Sequence, residues 1–352
     1  MPDTMTSRQR ILAAMRREKL DRVPVSPFGL GHLDPNSEIA AELIERTDPF
    51  LGAHAGDSAL LGSEPDLTVT DDGLRRLTVF HTPKGDLRTV FTRTEVTGYT
   101  TEFLCKSYAD IEALMSMPWR PASVDAELFL QRKAEVGEQG LVLAGIPDGI
   151  LWPMDVLSPE DACLLWAEAP GLMREMVAEG HRRIMDFVER ACPAGVDGFR
   201  IVGGEYATEM LGPKAFQALV TPFDTELVAL IHRFGGIAYY HNHGDVSRYL
   251  EMLADLGIDF LDPLEVPPYG DVDLGDAIRR IGERVCLVGG LDDMEVIETR
   301  PTEEVKALGR QALSKAGSRG FVLGGTASGT YTEIGARNFI ALVDVAREFG
   351  SG

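Results

Sequence analysis

Ile237-Ala238-Tyr239-Tyr240-His241-Asn242-His243-Gly244 decides the fold. An apolar, aromatic-rich run ends abruptly in polar residues and a glycine, as a buried parallel strand does where it meets a loop. Helical periodicity lies on both sides, over 213–232 before it and 246–256 after it. Moving outward, the same unit recurs. Short apolar runs stand at 23–28, 58–62, 141–146, 199–204, 259–265, 285–290 and 321–325, with further helical stretches at 274–281, 302–315 and 334–349. The five runs of the C-terminal half follow one another at roughly 25–40 residues, the spacing of successive βα units. Eight parallel strands with intervening helices predict an α/β (β/α)8 TIM-like barrel, with 1–352 as a single domain. A doubly wound open sheet is the alternative, but no G-x-G-x-x-G follows any strand.

Two segments stand apart from the alternation. Thr6 or Ser7 can cap a helix over 6–19, in which Ile11, Leu12 and Met15 share a face. Residues 77–95 alternate in polarity around Thr82-Pro83-Lys84-Gly85-Asp86, a hairpin signal. This predicts an antiparallel β-hairpin inserted after the second strand, folded over one end of the barrel.

The formal charge of −21 excludes a phosphate-backbone or anionic-membrane partner, because such a surface repels both. No apolar run nears the roughly 20 residues that cross a bilayer. Residues 1–19 are polar and lack a secretion signal, so the expected compartment is the cytoplasm. The four cysteines (Cys105, Cys163, Cys192, Cys286) are scattered and read as reduced, mostly buried thiols.

In a barrel, chemistry belongs to the C-terminal strand ends. There His241 and His243 stand at i and i+2, so they face the same way about 6–7 Å apart. Two imidazoles at that spacing suit a first-row metal, Zn²⁺ being the commonest. Glu205, one βα unit earlier, and Glu265, one later, are the candidates for a third ligand or a proton carrier. Asp262 reads either as a placed acid or as a loop brace. Tyr206 follows Glu205 at its strand end, and His32 follows the first strand closely enough to reach the mouth. His54, His181 and His232 read as surface residues. No nucleophile elbow, P-loop or dinucleotide fingerprint is present.

Several segments together resemble the uroporphyrinogen decarboxylase superfamily. They are the opening Thr6-Ser7-Arg8-Gln9-Arg10-Ile11-Leu12 through Asp21-Arg22-Val23-Pro24-Val25, then Leu211-Gly212-Pro213-Lys214-Ala215-Phe216 with Thr221-Pro222-Phe223. The His241–Gly244 strand end and the region 325–338 also match. The resemblance implies a distorted (β/α)8 barrel and a homodimer. True decarboxylases carry an arginine-rich loop after the first strand. Here that place reads Ser26-Pro27-Phe28-Gly29-Leu30-Gly31-His32, without arginine, so a substrate with many carboxylates finds no cationic clamp. The other branch, the cobamide-dependent methyltransferases, binds zinc through an H-x-C … C set. This chain has His243 and Ser328 where those thiolates stand, which makes a harder, more Lewis-acidic site. The resemblance therefore implies a zinc-dependent methyltransferase that moves a methyl group between a small molecule or thiol and a corrinoid carried on a partner protein. Metal-independent decarboxylation or lyase chemistry on a small carboxylic acid is the second reading. A corrinoid- or tetrapyrrole-binding protein is the third.

Overall fold

In a computed structural model that describes residues 3–94, 97–326 and 329–349, the chain forms two sheets. Its strands are β1 (Val25–Ser26), β2 (Phe50–Ala53), β3 (Leu67–Asp71), β4 (Arg75–Thr82), β5 (Gly85–Arg93), β6 (Gly98–Glu102), β7 (Leu141–Pro147), β8 (Gly198–Val202), β9 (Ile237–His241), β10 (Phe260–Leu264), β11 (Cys286–Leu291) and β12 (Phe321–Gly325). Eight of them pair in the order β1-β12-β11-β10-β9-β8-β7-β2, all parallel. A parallel bridge from Phe28 to Phe50 brings β1 to β2 and nearly closes the barrel. This is the (β/α)8 architecture expected from the spacing of apolar runs.

One expected strand is misplaced. Residues 58–62 form a turn in which the Gly62 amide donates to the Ser58 carbonyl (2.8 Å). The second barrel strand is Phe50–Ala53, only four residues with a glycine among them. Its ladder to Leu141–Ala144, rather than its own β-propensity, makes it a strand. The hairpin is part of a larger unit: β3–β4–β5–β6 form an antiparallel four-stranded sheet after the second barrel strand. Phe80 and Leu87 of this sheet are buried in the main core, which lies between the barrel strands and the outer helices. Glu95, the last residue expected in the hairpin, lies outside the described residues.

Helix ends also differ. The N-terminal helix runs Ser7–Met15, with Thr6 and Gln9 forming a reciprocal capping box. The helix expected over 213–232 is broken into Pro213–Ala215, a π-type segment Phe216–Val220, and Thr221–Arg233. Pro222 has no amide to donate, so the backbone ladder shifts just before it. The barrel interior is a second apolar cluster. Phe50, Leu141, Leu143, Tyr239, Phe260, Cys286, Val288 and Val322 pack there against Ile11, Ala13, Ala14 and Leu20. The N-terminal helix thus plugs the N-terminal end of the barrel, and the opposite end is the open mouth. No helix among the described residues is long and apolar enough to cross a membrane. All four cysteines are free thiols, with Cys105 and Cys286 fully buried.

Candidate active site at the barrel mouth

The end of β9 brings the two histidines together as the i, i+2 spacing requires. Their ring centroids are 4.5 Å apart with the planes nearly perpendicular. Each imidazole is held by a carboxylate from the end of β10. His241 Nδ1 donates to Asp262 Oδ2 (2.9 Å), and His243 Nδ1 faces Glu265 Oε1 (3.3 Å). The other Glu265 oxygen accepts from the Gly244 amide (2.6 Å), so one acid fixes both the ring and the turn behind it. The register pairs Asp262 with His241 across β10 and β9, which places the first acid at its ring. His241 is almost completely buried and stacks on Phe28, with centroids 5.5 Å apart. His243 is part-exposed. Burial works against its charge, but the hydrogen bond and charge of Glu265, with Glu205 and Asp262 behind, hold its pKa above the ordinary value.

This donor set fits a divalent metal in one respect. An imidazole whose Nδ1–H is given to a carboxylate presents Nε2 as an oriented, more basic ligand, the usual outer sphere of a zinc histidine. Two such nitrogens are present. Among the described residues, no group of three or more His, Cys, Asp or Glu side chains is arranged to hold a metal. Glu205, the expected third ligand, is near enough for its charge to act on His243, but its Oε2 accepts from the Gly203 amide (2.9 Å).

Behind the Glu205 turn lies a buried acid pair. Tyr240 points away from the barrel interior and donates to Asp224 (2.6 Å), with Asp148 at 3.4 Å. Burial pushes both acids up, Asp148 further raised by the Asp224 and Glu205 charges and Asp224 to about 7. The folded chain therefore keeps a proton that the unfolded chain has lost. The pair's contribution to stability is largest at low pH and falls as pH rises from about 4 through about 7. Chemical denaturation at pH 5 and pH 7.5 should show the wild type losing more stability than Asp224→Asn, by on the order of 2–4 kcal/mol. An equal loss in both would contradict proton sharing.

The turn is small because it has to be. A Cβ on Gly204 would come within 2.2 Å of the Tyr240 hydroxyl and 3.0 Å of Asn242 Oδ1. Gly204→Ala should therefore cost roughly 1–3 kcal/mol, read as a lowered denaturation midpoint, and should displace Glu205.

The remaining candidates are placed as follows. Tyr206 is half-buried beside the same acids, and burial, then Asp155, Glu205 and Asp148, raise its hydroxyl pKa. His32 lies at the mouth, where its amide donates to the Tyr331 carbonyl (2.9 Å). No contact among the described residues joins its imidazole to the histidine pair. Ser328 lies outside the described residues. Two further acids, not among those candidates, have structural work: Glu209 braces the turn after His243 by accepting from the Asp245 amide (2.7 Å), and Asp292 caps Met294 and Glu295. Sequence reasoning did not single out Asp148, Asp224 or Arg200, which carry no motif. His181, read as a surface residue, is buried, whereas His54 is exposed as read. That histidine follows the misplaced β2 and in fact lines a cavity at the mouth.

Residues 158–349 match the uroporphyrinogen decarboxylase (URO-D) family, and the chain belongs to it. A methyltransferase from Methanosarcina mazei has the same fold, with a TM-score of 0.64 over 98% of this chain and 99% of that one at 16% identity. A B12-independent methionine synthase from Shewanella sp. W3-18-1 is more distant. It gives a TM-score of 0.47 at 11% identity, over 74% of this chain and 73% of that one. No curated protein matches the chain by sequence.

Proposed function

We propose that the chain is a metal-dependent methyltransferase, with zinc on His241 and His243, exchanging a methyl group between a small molecule or thiol and a corrinoid on a partner protein. The observation that carries this reading is the pair of perpendicular imidazoles, each fixed at Nδ1 by its own carboxylate. Membership of the URO-D family and the shared fold of the Methanosarcina mazei methyltransferase support it. Bound zinc would supply Lewis acidity toward a thiol sulfur or an ether-type oxygen. The chain's own residues do the rest. Asp262 and Glu265 orient the two rings. Glu205, on the neighbouring strand end, completes the site or takes the thiol proton as the methyl group arrives. Phe28 covers His241 and keeps water from one side of it.

The test is elemental analysis of protein purified without chelator, together with methyl transfer from methylcobalamin to a thiol. The products are a thioether, cob(I)alamin and a proton. Stoichiometric zinc, and turnover that stops on stripping and returns on zinc addition, are expected. Protein that binds no zinc would overturn the reading, and decarboxylation of a small acid that survives stripping would replace it with the metal-independent lyase.

A further inference from the structure

Arg200 projects from β8 into the barrel interior, level with Gly145 on one side and Tyr239 on the other. Its guanidinium carbon lies 4.8 Å from the Phe28 ring centroid and 5.1 Å from that of Tyr239. It forms no ion pair among the described residues, and its Nε is buried with no hydrogen-bond partner. Asp262, which lines the same crevice, holds His241 through Oδ2, and the Tyr239 hydroxyl is within reach of both Asp262 and Arg200. An interior cation held between two aromatic faces, without an ion-pair partner among the described residues, is costly unless something else pairs with its exposed end.

The surroundings say from where that partner comes. The crevice bounded by Phe50, Tyr239, Val288 and Arg200 is too narrow for a water molecule. The N-terminal helix closes the barrel below it. On the other side, Gly52 of β2 and Gly145 of β7 face the interior, are exposed, and would point a Cβ into open space. A cavity of about 580 Å³ opens over these two glycines at the mouth. Arg200 is part-exposed, and Gly145, its register neighbour on β7, lines this cavity. Phe28 touches both the guanidinium and His241, so the cation and the histidine pair flank one ring.

We infer that Arg200 anchors a carboxylate of the substrate, which lies over Gly52 and Gly145 with its reacting end toward His241. This rests on the proposed reading of the mouth as the reacting centre. The planar guanidinium matches a carboxylate two bonds to two, whereas an ammonium would not. On a chain with a net charge of −21, one arginine at this position pairs with one carboxylate, and the surrounding negative charge disfavours substrates bearing several. The substrate class is therefore a compact monocarboxylate carrying the methyl group on a heteroatom a few bonds away.

Methoxyacetate and its neutral isostere methoxyacetamide test the assignment. Both are titrated by calorimetry into protein stripped of metal and dialysed free of chelator. The wild type should bind the carboxylate at least about tenfold more tightly than the amide. Arg200→Gln should bring that ratio near one. Arg200→Lys, which keeps the charge but not the fork, should retain part of it. The ratio should persist in a His241→Ala, His243→Ala variant, so a failure of the zinc reading leaves it untouched. Equal binding of the two probes by the wild type, a preference that survives Arg200→Gln, or one that disappears with the histidines would each overturn the assignment. Should Arg200→Gln not fold, the wild-type ratio and the Arg200→Lys variant decide.

Discussion

The His241→Ala, His243→Ala double variant should lose its zinc and, with it, methyl transfer by about three orders of magnitude or more. The size follows from what a bound Lewis acid contributes at the reacting centre, several kcal/mol, with each 1.36 kcal/mol worth tenfold. The variant removes both Nε2 donors and leaves Asp262 and Glu265 without their imidazole partners. A buried acid so stranded costs about 1–3 kcal/mol, so the variant should also unfold at lower denaturant. Asp262→Asn separates the two effects. It keeps the His241 ring and its Nε2 but removes the carboxylate that orients it, and should weaken zinc about 10–100-fold rather than abolish it. The measurements are zinc content per chain after dialysis and kcat/KM with methylcobalamin and a thiol. A double variant that keeps full zinc places the metal elsewhere, and one that keeps full turnover removes the histidines from the chemistry.

The histidine pair is legible in the sequence because strand geometry is periodic. Residues i and i+2 share a face whatever surrounds them, and the rings do meet at 4.5 Å. The barrel is legible for a similar reason: Ile237–His241, Cys286–Leu291 and Phe321–Gly325 are buried on both sides and read as unbroken apolar runs. Phe50–Ala53 is not legible. It is short, follows Asp48-Pro49 and contains a glycine, so nothing local announces it, and its existence depends on the β7 edge. That miss hid His54 and the glycine-floored side of the mouth. Arg200 is hidden by a different cause. A charged residue inside an apolar run reads as a break or an outward position, and only barrel closure turns it inward. The acid pair Asp148 and Asp224 comes from elements far apart in the chain, joined through Tyr240, a contact without any sequence signature.

Asp48→Ala should destabilise the fold by about 3–5 kcal/mol, the largest loss expected from a residue outside the mouth. Asp48 is fully buried and receives two guanidinium groups: Arg10 Nη1 at 2.6 Å on one oxygen and Arg22 Nη1 at 2.5 Å on the other. The second oxygen also accepts from the Val25 amide (2.8 Å). Removing the carboxylate leaves two cations out of water with less than their full pairing. Arg10 keeps Asp21, and Arg22 keeps Asp3. Thermal unfolding should shift down by roughly 5–15 °C. Asp48→Asn, which retains an oxygen for Val25 but loses the charge, should fall between. The consequence reaches the site through geometry. Asp48 ties the N-terminal helix and β1 to the start of β2, and β1 leads directly into Phe28, whose backbone bridges Phe50 and whose ring touches both His241 and Arg200. The variant should therefore show weaker carboxylate binding at temperatures where it is still folded. An unchanged melting temperature would mean that the β1–β12 ladder and the Phe28–Phe50 bridge close the barrel without the buried ion cluster.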